Sequence, residues 1–250
     1  MPGMTLTVLG CQGPYPGPGG ATAGYLVEAG GFRLLLDCGS GVLSQLGRHC
    51  PPEALDAVVL SHLHHDHIAD MGVLGYALQT ESSLGRRSGP LPVYATREPA
   101  EVFERLRYRD VFAVHPLNPA SPPEELVIGP FRARFAPTVH ALPCLAVRLE
   151  CGGRALAYSA DTGWTEAVPE LARGAHVFIC EASFMEPEEP GKGPGHLTGR
   201  QAGEMARRAG VERLLLTHLY PRFDPDALVA QAREVFPAAE ACVPGVLYEV

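Results

Sequence analysis

Four histidines and one aspartate stand close together in the segment His62-Leu63-His64-His65-Asp66-His67. In an extended chain residues two positions apart share a side, so His62 and His64 can converge on one ion. Asp66 and His67, at the start of the helix that follows, can turn toward a second ion. Because neutral imidazole and carboxylate are ordinary ligands of zinc and related ions, the segment predicts a metal centre. The alternative is a solvated, histidine-rich loop.

The elements around this segment should place it at the end of a buried strand, because apolar residues precede it and a helical pattern follows. We predict the strand at Ala57–Leu60 and the helix at Ile68–Gln79. Three later strands also end at a side chain that could bind a metal or move a proton. They are Ala155–Ser159 before Asp161, His176–Cys180 before Glu181, and Arg213–Thr217 before His218.

Further elements follow from turn and capping signals. Early strands are predicted at Leu6–Leu9, Tyr25–Glu28 and Arg33–Asp37, the last two joined as a hairpin by Gly30-Gly31. Thr198 and Gln201 have the spacing of a capping box, which predicts a helix from Gly199 to about Ala209 that ends at Gly210. Loops are predicted at Gly10–Gly24, Ser82–Pro92 and Glu186–Gly195, where glycine, proline or serine are frequent.

Composition limits the classes of protein that the chain can represent. A chain of 250 residues with 46% hydrophobic content can bury one large core, so we expect a single domain over residues 1–250. The net charge of -8 gives no broad cationic surface for nucleic acid. No secretory or membrane-spanning stretch is found, which predicts a cytoplasmic protein with no membrane partner. The seven scattered cysteines predict free thiols in the core.

The histidine segment resembles the H-x-H-x-D-H signature of the metallo-β-lactamase superfamily. Further motifs of that family follow in order, namely Pro137-Thr138-Val139-His140, Tyr158-Ser159-Ala160-Asp161 and Leu216-Thr217-His218. The segments Cys180-Glu181-Ala182-Ser183-Phe184 and Gly195-His196-Leu197-Thr198 are similar to motifs of its ribonuclease Z-like phosphodiesterase branch. The resemblance spans nearly the whole chain.

This resemblance implies an α/β fold, a four-layer αββα sandwich in which two mixed sheets are flanked by helices. It also implies two divalent metal ions, with zinc expected first and Mn²⁺ or Fe²⁺ as alternatives. The first ion would be held by His62, His64 and His140, the second by Asp66, His67 and His218, and Asp161 would bridge both. Glu181 and His196 would form a hydrogen-bonded pair, with His196 donating a proton to the leaving oxygen or binding the phosphate.

The chain departs from the family in one respect. Members that process transfer RNA carry a long arm between the third histidine ligand and the bridging aspartate. Here His140 and Asp161 are only 21 positions apart, which leaves space for two strands and a turn. The resemblance therefore implies a small or oligonucleotide phosphodiester as substrate, and a homodimer is the assembly to test.

The sequence predicts a hydrolase in which a hydroxide shared between the ions attacks a phosphodiester while Asp66 orients it. Hydrolysis of lactones, thioesters or other esters is an alternative, because one fold supports several reactions. A non-catalytic metal-binding module is a second alternative. A di-iron redox protein is a third, although by resemblance that branch has a glutamate where His64 stands.

Several arginines could contact an anionic substrate. Arg222 follows closely after His218 and is the candidate for a phosphate contact, with packing over a core edge as its alternative role. Arg97, Arg105, Arg107 and Arg109 lie on or near a predicted helix and could steer an anion toward the site, although such a group is more often a solvated face.

Overall fold

The structure is a computed structural model that describes residues 3–107, 110–186 and 195–250. The predicted role of Arg109 and most of the predicted loop Glu186–Gly195 therefore lie outside the described residues. The strands are β1 (Met4–Gly10), β2 (Gly24–Ala29), β3 (Phe32–Leu36), β4 (Ala57–Val59), β5 (Leu91–Thr96), β6 (Phe112–Leu117), β7 (Leu126–Ile128), β8 (Phe131–Pro137), β9 (Leu145–Cys151), β10 (Arg154–Tyr158), β11 (Val177–Glu181), β12 (Arg213–Thr217), β13 (Ala239–Ala241) and β14 (Leu247–Glu249). The helices are α1 (Val42–Leu46), a short 3-10 helix (Pro52–Ala54), α2 (His65–Ile68), α3 (Met71–Ser83), α4 (Ala100–Arg105), α5 (Ala167–Leu171), α6 (Gly199–Ala209) and α7 (Pro225–Arg233).

The strands form two seven-stranded mixed sheets flanked by helices, as the family resemblance implies. The strand orders are β14-β1-β2-β3-β4-β5-β6 and β13-β12-β11-β10-β9-β8-β7. Strand β2 shows that both faces of the first sheet are buried there. Tyr25 and Val27 face a core shared with the second sheet, and Leu26 packs under α1 and α3. Burial on both faces explains why the central strands β2, β3 and β4 are mainly apolar and not alternating.

Each sheet has an antiparallel part and a parallel part, so the two halves of the chain repeat one scheme. Strands β3 to β6 are parallel in the first sheet, and β10 to β13 are parallel in the second. The carboxyl ends of neighbouring parallel strands lie along one edge of a sheet, which is the usual place for ligands in α/β proteins. Six of the seven predicted metal ligands follow β4, β10 and β12 at these edges, and His140 follows β8.

Local signals are confirmed at several points. The hairpin between β2 and β3 turns at Gly30-Gly31, and the capping box of Thr198 and Gln201 is formed at the start of α6. Helix α6 ends at Gly210, whose φ is 62°. The segment between His140 and Asp161 contains the antiparallel pair β9 and β10. All seven cysteines are unpaired, and within the described residues no helix is long and apolar enough to cross a membrane.

The predicted helix Ile68–Gln79 was wrong in its extent. The structure has two helices there, α2 and α3, separated at Ala69 and Asp70. The backbone N–H of Asp70 donates to the carbonyl of Cys38 at 3.1 Å, and its carboxylate accepts from the backbone N–H of Leu43 at 2.9 Å. These bonds tie the chain to the loop after β3, so the helix is interrupted directly after the ligand segment.

Candidate metal centre

The structure brings all seven predicted metal ligands together. The ligating atoms of His62, His64, His140 and Asp161 lie within 4.8 Å of one another. Those of a second group, Asp66, His67 and His218, also lie within 4.8 Å of one another. Each of the two ligand sets that the resemblance implies therefore lies within one group, and a third group joins Asp161 and His218 to His196.

Backbone strain is concentrated beside this site. Asp37, Ala160 and His218 have positive φ angles of 56°, 52° and 54°, and each follows the end of a strand that reaches the site. The left-handed region costs a residue with a Cβ about 1 to 3 kcal/mol. At Ala160 this conformation turns the chain so that the next residue, Asp161, is buried between the two groups of histidines.

In the first group three imidazole nitrogen atoms face one another. They carry too few protons for every contact between them to be a full hydrogen bond. His62 Nε2 lies 3.0 Å from His64 Nδ1, and His140 Nε2 lies 2.9 Å from the same atom. His140 Nδ1 donates to the carbonyl of Gly195. The hydroxyl of Ser61 donates its proton to Asp37, so it accepts a hydrogen bond from His62 Nδ1. His62 Nε2 and His140 Nε2 therefore both present lone pairs to His64, an arrangement that a cation would stabilise.

Asp161 lies between the two groups. Its Oδ2 is 3.7 Å from the Nε2 atoms of both His62 and His140 and 3.3 Å from His218 Nε2. Its Oδ1 is 3.2 Å from His67 Nε2, but both atoms are buried and form no hydrogen bond. Buried polar atoms without partners are costly. One carboxylate thus faces four imidazoles.

The electrostatics of the two groups differ. Burial lowers the pKa of His62, His64 and His140, which keeps these imidazoles neutral and available as ligands. Burial also disfavours charge on His67 and His218, but the negative charge of Asp161 raises the pKa of both. Burial acts against ionisation of Asp161 too, yet the charges of His218 and His67 hold its pKa well below the usual range.

Asp37 is a component that sequence reasoning missed. It is fully buried after β3 and accepts hydrogen bonds from the backbone N–H and hydroxyl of Ser61 and from the hydroxyl of Tyr158. It also accepts from His67 Nδ1 at 2.8 Å, which leaves His67 Nε2 to face the site. The available signal was a charged residue at the end of an apolar strand, as at Asp161.

Glu181 and His196 form the predicted hydrogen-bonded pair at the rim of the site. His196 Nδ1 donates to Glu181 Oε1 at 3.0 Å, and Glu181 also accepts from the backbone N–H groups of Thr162 and Leu197. The His196 ring stacks on His218 with the ring centroids 5.1 Å apart. Burial opposes charge on His196, but the hydrogen bond and charge of Glu181 raise its pKa to about 9.

Ser183 is a second residue that sequence reasoning missed. Its hydroxyl donates to Glu181 at 2.8 Å and lies 2.7 Å from His218 Nδ1, from which it accepts. This bond leaves His218 Nε2 for the site. Ser183 therefore connects the Glu181–His196 pair with the second group of ligands, a connection that needs contacts across the sheet and cannot be seen from spacing alone.

The predicted arginines lie outside the cluster of ligands. Arg222 is exposed in the turn that follows His218, and Arg105 and Arg107 are exposed at the end of α4. Arg107 lies 3.8 Å from Glu104, which is typical of a solvated helix face. Arg97 follows β5 at the edge of the sheet that carries the site.

Comparisons with known proteins agree with this geometry. The beta-lactamase superfamily domain matches residues 32–219. The chain is 41% identical over 235 residues to the probable metallo-hydrolase YhfI of Bacillus subtilis, covering 93% of this chain and 94% of that protein. Ribonuclease Z of Mycobacterium bovis is 31% identical over 250 residues, covering 89% of this chain and 88% of that protein.

Solved structures show the same fold. The crystal structure of YhfI from Bacillus subtilis matches with a TM-score of 0.92 and 36% identity, over 100% of both chains. The short form of human tRNase Z matches with a TM-score of 0.77 and 20% identity, over 98% of both chains. At that identity the second likeness concerns the fold alone.

Proposed function

Because this chain belongs to the metallo-β-lactamase superfamily and has ribonuclease Z among its relatives, we propose that it is a dinuclear metal-dependent phosphodiesterase. The observation that carries the proposal is the pair of ligand groups on either side of Asp161, with the Glu181–His196 pair at their rim. Residues 1–250 would act as a single hydrolase domain in the cytoplasm. Size-exclusion chromatography with light scattering tests the homodimer.

The donor set fits divalent cations that prefer nitrogen and carboxylate ligands, zinc first and Mn²⁺ or Fe²⁺ as alternatives. His62, His64 and His140 would hold one ion, Asp66, His67 and His218 the other, and Asp161 would touch both. The fit is supported by the unbonded atoms His67 Nε2 and Asp161 Oδ1. Two such ions would lower the pKa of a shared water and neutralise negative charge that develops on the substrate.

The chain's own residues would orient the reactants and move a proton. Asp66 is half-buried beside His218, and its carboxylate can accept a hydrogen bond from the attacking oxygen and so orient it. Glu181 holds Nδ1 of His196, so Nε2 is the nitrogen that is left to donate a proton to the leaving oxygen. The hydrogen bond and charge of Glu181 raise the pKa of His196 and so favour the protonated form that this step needs.

A substrate panel tests the proposed function. Metal-loaded protein is assayed with an activated phosphodiester, a thioester and a lactone, and we expect the highest kcat/KM for the phosphodiester. The relatives named ribonuclease Z and the proton donor at His196 support this ranking. Faster cleavage of the thioester or lactone would support the alternative hydrolase, and metal binding without any turnover would support a binding module.

Asp37→Asn is expected to weaken metal binding about 10- to 100-fold, the usual effect of losing a group that orients a ligand. Asp37 accepts from four donors, and an amide would place N–H groups against at least one of them. Competition with a chromogenic chelator measures the affinity. The exposed Asp226→Asn is the matched control, and equal affinity in the two variants would contradict the assignment.

Gly13→Ala is expected to reduce activity by about 10²-fold, because a small displacement of a ligand disrupts the geometry of the site. A Cβ at position 13 would lie 2.3 Å from His218 Nε2, so the ring would have to move. The rate on the best panel substrate and the metal content are measured together. Gly72→Ala on the exposed side of α3 meets no atom within 4 Å and should retain full activity.

Glu181→Gln is expected to move the alkaline limb of the pH–rate profile to lower pH. A general acid must be protonated, so activity is lost as pH rises through the pKa of His196. The hydrogen bond and charge of Glu181 raise that pKa, and the amide removes the charge. Bound cations would lower the pKa in both proteins, so the direction of the difference is retained. An alkaline limb at the wild-type position would contradict this role.

A further inference from the structure

A groove of about 650 Å³ lies at the edge of the first sheet, outside the cluster of ligands. Its volume falls within the range of about 300 to 1,000 Å³ that holds small ligands. The residues that line it come from the ends of β5 and β6 and from the loop after His140. They include the polar residues Arg97, Glu98 and Asn118 and the prolines Pro116, Pro119 and Pro143.

The groove lies at the same edge of the first sheet as the ligand segment His62–His67. Strand β4 leads into His62 and pairs in parallel with β5, which pairs in parallel with β6. With strands about 5 Å apart, the carboxyl ends of β5 and β6 lie roughly 5 to 10 Å from that of β4. Pro143 is three residues after His140, and the backbone N–H of Leu145 donates to the carbonyl of Ser61 at 3.0 Å. This bond fixes the wall of the groove to the ligand segment.

The lining combines flat apolar walls with a few polar groups. Three proline rings provide rigid walls, and the amide oxygen of Asn118 accepts from the backbone N–H of Ala120, which leaves its NH₂ group as a donor. Glu98 offers an acceptor. Arg97 is exposed, and within the described residues its side chain forms no hydrogen bond or ion pair. Rigid walls, a donor, an acceptor and one cation suit a flat heterocycle that bears a phosphate.

We propose that this groove binds the nucleotide that adjoins the scissile phosphodiester, with Arg97 paired to the phosphate of that nucleotide. The proposal rests on the proposed function and adds to it the place where the nucleotide part of the substrate binds. A planar guanidinium can make two parallel hydrogen bonds to one phosphate in a fixed geometry that a lysine ammonium lacks. The carboxylate of Glu98 beside Arg97 disfavours a bare anion, so the base and sugar must contribute to binding.

Calorimetric titration of the metal-loaded protein tests the groove without requiring turnover. The probes are inorganic phosphate, adenosine 5′-monophosphate and adenosine 3′,5′-bisphosphate, which add the nucleoside and the second phosphate in turn. We expect each addition to tighten binding, the second by about tenfold or more, the size of a charge-assisted hydrogen bond. The Arg97→Met variant should keep the gain in affinity from the nucleoside and lose the gain in affinity from the second phosphate.

Two variants control for charge and for arginine itself. Arg154→Met removes an exposed arginine at the start of β10, at the opposite end of the strand from Asp161, and should bind all three probes as the wild type does. Glu98→Gln should bind the bisphosphate at least as tightly as the wild type, because a repelling charge is removed.

Two results would overturn the groove assignment: equal affinity of the wild type for phosphate and the monophosphate, or an undiminished preference of Arg97→Met for the bisphosphate. Either result can occur in a protein that cleaves the phosphodiester of the substrate panel, and then only the groove assignment fails. An absence of phosphodiester cleavage by the wild type would overturn the proposed function instead, and with it the substrate named here.

Discussion

Asp161→Ala is expected to lower kcat/KM by more than about 10³-fold and to leave the purified protein without its metal ions. A catalytic cation contributes several kcal/mol to the stabilisation of the transition state, which corresponds to a loss of this size. The carboxylate faces the imidazoles of both ligand groups, so its removal affects both ions at once. Elemental analysis after dialysis measures the metal content, and initial rates on the best panel substrate measure activity.

The comparison with Asp161→Asn separates charge from shape. The amide keeps the size of the side chain but cannot balance two cations, so its metal content should also fall. Burial acts against ionisation of Asp161, but the charges of His218 and His67 hold its pKa well below the usual range and so favour the ionised form. Asp226→Ala, at an exposed position on α7, should retain metal and activity. An Asp161→Ala protein that keeps both ions would contradict the bridging role.

The cluster of histidine and aspartate side chains could be predicted from the sequence because these residue types are chemically distinctive and follow strands. His62, His64, Asp66 and His67 lie in one short segment, and the later ligands follow buried strands that fold to the same edge. The sandwich itself followed from the family resemblance of these motifs. Apolar runs predicted seven of the fourteen strands of the described residues to within two residues, as at β3 and β12, and the bounds of the other seven were not predicted.

The supporting residues could not be predicted, because their roles depend on contacts between distant segments. Asp37 acts on His67 through a hydrogen bond that crosses 30 positions, and Ser183 reaches His218 across 35 positions. An isolated aspartate or serine has many ordinary roles, and nothing in its local pattern selects one. The break between α2 and α3 has the same origin, since it depends on the bond between Asp70 and Cys38.

His196→Ala is expected to slow turnover by about 10²-fold or more while the metal content stays unchanged. Loss of a general acid has an effect of this size, and His196 is not among the seven proposed ligands. Its ring stacks on His218, so a variant could also act by releasing that ligand. His196→Phe keeps an aromatic ring at this place and removes the proton donor. Equal metal content in the wild type and both variants would exclude the indirect effect.

How the loss of rate depends on the leaving group then distinguishes proton donation by His196 from phosphate binding. A general acid matters most when the leaving oxygen is strongly basic, as in an alkoxide, and least when it departs readily, as p-nitrophenolate does. We therefore expect the His196 variants to lose much more activity on a dinucleotide than on an activated aryl phosphodiester. An equal loss on both substrates would indicate that His196 binds the phosphate, because a binding contact acts on every substrate alike. An unchanged rate on both would remove His196 from the mechanism, and the Glu181–His196 pair would then be part of the scaffold that holds Ser183 and His218 in place.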